Sequence, residues 1–368
     1  MGRRRASKRT HGGAGFAVCL AALLLSACAP APERPPEATP LYWPALPAQP
    51  RFVHETTLRS SRDVRADTGS DRLRRLVSGV AERDMGFDKP YGVAAARGMV
   101  YVTDTGDRVV KAFDVPRRRF FRFGFRREGV LRKPLGITVD ASQRVYVADA
   151  VARRVVVYDR FGLFLGVIGD PTALVKPTDV AVDAGGERIY VVDTGGIDSD
   201  HHAVVVYDGQ GQKRFEIGGR GSGPGRFNLP VAASVAADGT LYVLDAGNFR
   251  VQAFTPEGRF LREWGGVGRS FGRFARPKSI AVDGDGIVYV MDAAFGNVQA
   301  FTADGRLLLP FGRLSREDVP GGFALPSDIA VDETGRIYVL DQLFRKIDVI
   351  RRLSDAEGLR LQEQAGSD

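Results

Sequence analysis

Cysteine and histidine are nearly missing from this chain, and their scarcity excludes several chemistries at once. Both cysteines, Cys19 and Cys28, fall within the first 28 residues. Everything after them must fold without a disulfide and without thiolate metal ligands. The histidines are His11, His54, His201 and His202. One lies near the start, one at residue 54 and two are adjacent, so three imidazoles from separate elements cannot converge on a zinc ion. A Ser-His-Asp arrangement has no candidate histidine either. Long hydrophobic runs are scarce too. The apolar stretch Phe16–Leu25 is ten residues long, against the roughly 20 that cross a bilayer.

A true charge excess is also lacking. The formal net charge is +8, but Arg3, Arg4, Arg5, Lys8 and Arg9 precede any acidic residue. From residue 28 onward the chain has 47 basic and 44 acidic residues, about +3. That is an ordinary surface, not a polyanion-binding one.

The cationic start followed by a short apolar core reads as a secretory signal over residues 1–27. Leu25-Ser26-Ala27-Cys28 resembles the lipobox of bacterial lipoproteins, which implies cleavage before Cys28 and a diacylglycerol on its thiol. Cys19, inside the apolar core, reads as a small hydrophobe. Ala29 resembles an outer-membrane sorting signal. The expected location is therefore the cell envelope, on the outer membrane facing the periplasm if the host is Gram-negative. Eight prolines lie within residues 29–50, so 28–50 is expected to be a semi-rigid, polyproline-like tether.

What is abundant is repetition. Tyr stands three residues before Asp at Tyr101/Asp104, Tyr146/Asp149, Tyr190/Asp193, Tyr242/Asp245, Tyr289/Asp292 and Tyr338/Asp341. Each repeat opens on a proline (Pro90, Pro134, Pro177, Pro230, Pro277, Pro326) and carries short apolar runs separated by turn residues. Four short strands per repeat of about 45–50 residues predict an all-β fold of propeller blades. The best copy is built on Tyr242, Asp245, Asn248, Arg250, Phe254 and Gly265, and it resembles an NHL repeat. The resemblance covers residues 89–351 and implies a six-bladed NHL-type β-propeller. Asn297 and Lys346 depart from it by replacing the usual Arg, and blade 3 has a longer turn.

The sixth repeat holds only three strands. Residues 51–59 are the spare strand expected to close it, because an open edge invites aggregation. Residues 71–80 read as a short amphipathic helix, 51–351 as the propeller, and 352–368 as a polar tail.

Six strand-end Asp residues read as structural, since function usually breaks repeat symmetry. The asymmetries are the candidate sites. The blade 3 turn holds Asp198, Asp200, His201 and His202, oxygen and imidazole donors that suit a divalent ion. Residues 117–133 interleave eight basic residues with four Phe. Arg126, Arg127, Arg132 and Lys133 would join Arg153 and Arg154 in one basic patch if linkers and second-to-third-strand turns share a face. Asp179 and Asp328 fall two residues past the opening prolines of blades 3 and 6, facing each other across the axis. They are expected to cap a hydrated channel without pKa strain, or to hold a cation.

Together these features predict an exported, lipid-anchored propeller that works as a non-catalytic protein- or ligand-binding platform. The expected partners are the membrane, through the lipid, and an envelope protein. Neither cofactor nor nucleic acid is expected, and a monomer is. One alternative is a metal-dependent enzyme, since related propellers include zinc lyases and calcium lactonases, with calcium or zinc at the channel mouth. The other is anion or nucleic-acid binding through the basic patch.

Overall fold

Six antiparallel sheets succeed one another along the chain, each built mostly from consecutive strands. The computed structural model describes Gly2, residues 40–65 and residues 84–366. The expected signal, the Cys28 anchor and the helix at 71–80 lie outside the described residues. Residues 40–368 form one compact unit.

Blades 1 to 5 occupy residues 90–123, 134–168, 177–218, 230–265 and 277–311, each with four strands. Blade 6 takes its three inner strands from residues 326–352 and its fourth from Phe52–Leu58. That strand pairs antiparallel with Lys346–Arg352, Phe52 opposite Arg352 and Leu58 opposite Ile347. The ring is closed by the N-terminal strand, as expected from the missing element.

The strands are apolar on both faces because each sheet is sandwiched between two others. Six cores lie between successive blades. Between blades 5 and 6, Phe52 packs on Phe311 with ring centroids 4.5 Å apart and on Tyr289 at 6.4 Å. Between blades 1 and 2, Phe123 meets Tyr158 at 4.8 Å. This double burial explains the phenylalanine run of blade 1. Phe120 faces the blade 6 side, whereas Phe121 and Phe123 face blade 2.

Two expectations at the ends need correction. Within the expected tether, Tyr42–Trp43 adds a fifth strand to blade 6. Trp43 reaches Phe311 at 6.1 Å, so aromatic burial outweighs the extended preference of the surrounding prolines. The expected polar tail contains a helix, Asp355–Ala365. Ser354 and Glu357 form a reciprocal capping box at its start. Arg351 pairs with Glu357 at 3.1 Å, and Gly358 lies so close to the Pro50 carbonyl that a Cβ would sit 2.5 Å from it. No described helix is long and apolar enough to cross a membrane.

Candidate functional site

Strand alternation puts the blade-to-blade linkers and the second-to-third-strand turns on one face. The strand-end Asp residues tie these together. Asp104, Asp149, Asp193, Asp245, Asp292 and Asp341 are all fully buried. Each accepts backbone N–H groups from the residues just ahead of its own blade's opening proline, at 2.6–3.1 Å. The donors are Asp88 and Lys89, Arg132 and Lys133, Val175 and Lys176, Asn228, Ala275 and Arg276, and Ala324 and Leu325. Linker donors that would otherwise be unpaired in the interior are thereby satisfied.

The Asn-x-Arg segment finishes the same joint. Arg250 donates to Asp245 at 3.0 Å and to the carbonyls of Gly223 and Arg226 at 3.0 and 2.9 Å. Where the repeat departs from Arg, other side chains take over. Lys111 in blade 1 is buried and reaches Asp104 at 2.8 Å and the Gly86 carbonyl at 2.7 Å. In blade 5, Gln299 donates to the Arg273 carbonyl at 3.0 Å beside Asn297. Lys346 donates to Val319 at 2.5 Å and pairs with Asp348 at 3.1 Å. Burial pushes the Asp104 carboxyl up, but the Lys111 ammonium and linker N–H groups bring it below its ordinary value. At Asp245 burial prevails over Asn248 and Arg250 and the carboxyl is raised.

The channel carboxylates hold blades together sideways. Asp179 accepts the Ala233 N–H of blade 4 at 2.9 Å, and Asp328 accepts the Val93 N–H of blade 1 at 2.7 Å. Each thus binds the third residue past the next blade's opening proline. Asp328 also accepts the Ser279 hydroxyl at 2.5 Å and the Ile329 N–H at 2.9 Å. Gly136 leaves room for Asp179, since a Cβ there would lie 2.0 Å from its Oδ1.

About 120 Å³ of the channel at this level is open to water, room for several molecules. Burial, reinforced by the charge of Asp328, raises Asp179 well above the carboxylate range. Burial pushes Asp328 up to about 6 against its hydrogen-bond donors. The expectation that these carboxylates carry no pKa strain is corrected: burial raises both. Sequence reading missed two perturbed groups, each one residue past its proline, of which Tyr91 feels both aspartates. Burial and the two aspartates push Tyr91 up to about 12, and burial with the nearby Arg276 charge pushes Lys278 down.

The channel lining offers a resident cation two carboxylates, Asp179 and Asp328. Among the described residues no three His, Cys, Asp or Glu side chains are grouped to hold a metal. Oxygens of both channel aspartates already accept N–H or O–H groups, whereas calcium takes 6–8 oxygen ligands. The blade 3 turn does not converge either. His202 is fully buried, its Nδ1 accepting the Leu229 N–H at 3.2 Å and its Nε2 donating to the Gly196 carbonyl at 2.9 Å. Neither ring nitrogen is left for a metal. His201 Nε2 lies 3.2 Å from strand-end Asp193. Asp198 and Asp200 are exposed.

The residues of the expected basic patch differ in their contacts. Arg154 donates to the Glu128 and Val130 carbonyls at 3.1 and 3.2 Å, which brings the turn and the linker onto one face. Those bonds make Arg154 a brace. Arg126, Arg127, Arg132, Lys133 and Arg153 are exposed. Arg126 lies over the Phe125 ring at 5.3 Å.

The chain matches no family model. NHL repeat-containing protein 3 of Mus musculus is 27% identical over 178 residues, covering 44% of this chain. The match spans half the length of that relative. The fold is an NHL-type six-bladed β-propeller. Among solved structures, a gluconolactonase from Xanthomonas campestris aligns with TM-score 0.53 and 18% identity over 73% of this chain and 87% of that one. A streptogramin B lyase aligns with TM-score 0.51 and 14% identity over 72% of this chain and 94% of that one. At such identities the likeness to these two proteins shows the fold alone.

Proposed function

We propose that this propeller is a non-catalytic binding platform, exported and held at the envelope by a lipid on Cys28, working as a monomer without a cofactor. The observation carrying this reading is the use of Asp179 and Asp328. Each accepts a backbone N–H from a neighbouring blade in the channel lining. Groups that fasten blades are poorly placed to bind metal and substrate as well. The strand-end aspartates and His202 are tied to the backbone in the same way. What remains variable is the exposed loops, which a rigid ring presents to a partner. A lipid would keep those loops near the membrane and raise the effective concentration of an envelope protein there.

Metal content of residues 40–368, purified without chelator or His tag, tests the non-catalytic part. We expect no stoichiometric calcium or zinc. One equivalent per chain, lost in Asp179→Asn and Asp328→Asn variants that remain folded, would overturn the platform in favour of a lactonase- or lyase-like enzyme. Anchoring is tested separately by labelling the full chain in bacteria with a radioactive fatty acid. Label on the wild type and none on Cys28→Ser is expected; an unlabelled wild type would remove the anchor.

A further inference from the structure

The outermost strands of the blades differ in one respect that the repeat does not require. Blades 1, 3, 4 and 6 carry charged residues there, such as Arg119 and Arg122, Lys213 and Glu216, Glu263, and Glu55. Blade 5 lacks charge but is interrupted by Pro310, and only Leu308 is strongly exposed. Blade 2 has no charged residue from 161 to 169. Its Phe161, Leu163 and Leu165 are 57, 66 and 51% exposed. Natural edges are normally blunted by charge or proline, and contiguous exposed apolar residues on a bare one mark an interaction surface.

The surroundings identify the occupant. A groove of about 520 Å³ runs between this strand and blade 1, lined by Phe125, Phe161 and Leu163 together with three arginines, Arg122, Arg126 and Arg127, and one carboxylate, Glu128. Arg160 lies over the Phe161 ring at 4.8 Å, as Arg126 does over Phe125. Among the described residues no carboxylate pairs with Arg122, Arg126 or Arg127, although other surface arginines, such as Arg336 and Arg351, do find partners. Apolar tips ringed by unpaired arginines complement an anionic surface with an apolar layer beneath it.

A second copy placed on this face by two-fold symmetry would bring the same arginines against each other. Strand addition is hindered because Leu165 is the extra residue of a bulge between Phe164 and Gly166. A bilayer with anionic headgroups meets neither objection. It accepts aromatic and aliphatic tips at the interface and pairs arginines with phosphates.

We propose that the blade 2 edge, with the linker ahead of it, rests on an anionic phospholipid surface and sets the orientation of the propeller there. This goes beyond the platform reading and does not depend on Cys28. The test is co-sedimentation of residues 40–368, the unit that contains the closed ring, with vesicles of phosphatidylcholine alone or with a third phosphatidylglycerol.

Binding only to the anionic vesicles, weakening as salt is added, is expected. Arg126→Glu with Arg127→Glu should lower affinity roughly tenfold or more. Leu163→Asp with Leu165→Asp should abolish binding while leaving circular dichroism unchanged. Leu308→Asp, on the other uncharged edge, should bind like wild type.

No binding, equal binding to both vesicles, or binding indifferent to both double variants would overturn the proposal. So would a solution dimer that Leu163→Asp with Leu165→Asp disperses, because the surface would then belong to a second copy. Metal content does not bear on any of these outcomes, so this proposal and the platform fail separately.

Discussion

At the end of the second strand of blade 4, one carboxylate settles four donors. Asp245 accepts from the Asn228 backbone, Asn248, Arg250 and Gln252 at 2.7–3.2 Å. Replacing it with Ala would leave the part-buried Asn228 N–H and the buried Gln252 short of an acceptor, while Arg250 keeps Glu263 and two carbonyls. Asp245→Ala should therefore cost about 1–3 kcal/mol, read from urea midpoints. Asp328 makes a different forecast because its folded pKa is raised to about 6, above an unfolded value of about 3.9. The folded state then holds more protons between these values, so stability is full below the lower one and falls as pH rises through the upper. Asp328 should account for about 1–3 kcal/mol of the wild-type loss across that window, and Asp328→Asn should make the profile shallower, with Asp179 keeping the remaining slope. A wild-type melting temperature unchanged from pH 4 to 7 would refute it.

Among the elements, the closing strand is the most consequential. Phe52 is buried and contacts both Phe311 and Tyr289, so Phe52→Ala should cost about 3–5 kcal/mol in equilibrium unfolding. Its place was legible because the sixth repeat is one strand short, and Phe52–Leu58 lies within the expected 51–59. The helix Asp355–Ala365 was not legible. Only one of its side-chain positions, Gly358, is buried, so it has no apolar stripe to announce it. Its capping box at Ser354 and Glu357 was the available signal. The strand Tyr42–Trp43 was hidden for a related reason: two residues among prolines carry no periodicity, and Phe311, which receives Trp43, is distant in sequence.

For the whole molecule, closure should govern cooperativity. Every sheet is covered on both sides by neighbours, so no blade can leave without exposing two cores. A chain of residues 60–368 would lack Phe52–Leu58 and leave Lys346–Arg352 as a bare edge. Light scattering should find it associated, and a peptide of residues 40–59 should return it to a monomer. A monodisperse truncated chain would show that the strand does not close the ring.

The sequence by itself determined the repeat, the number of blades, the need for a closing strand and the structural role of the six aspartates. Those properties are periodic or local, and a side chain near its own backbone leaves a short-range pattern. Tertiary structure decided what depends on residues far apart in the chain. It sealed His202 against Leu229 and Gly196 and turned Arg154 into a brace. It set Asp179 and Asp328 in the channel lining as inter-blade acceptors with raised pKa values. It also left one apolar edge beside unpaired arginines, because the ring determines which outer strand faces which linker.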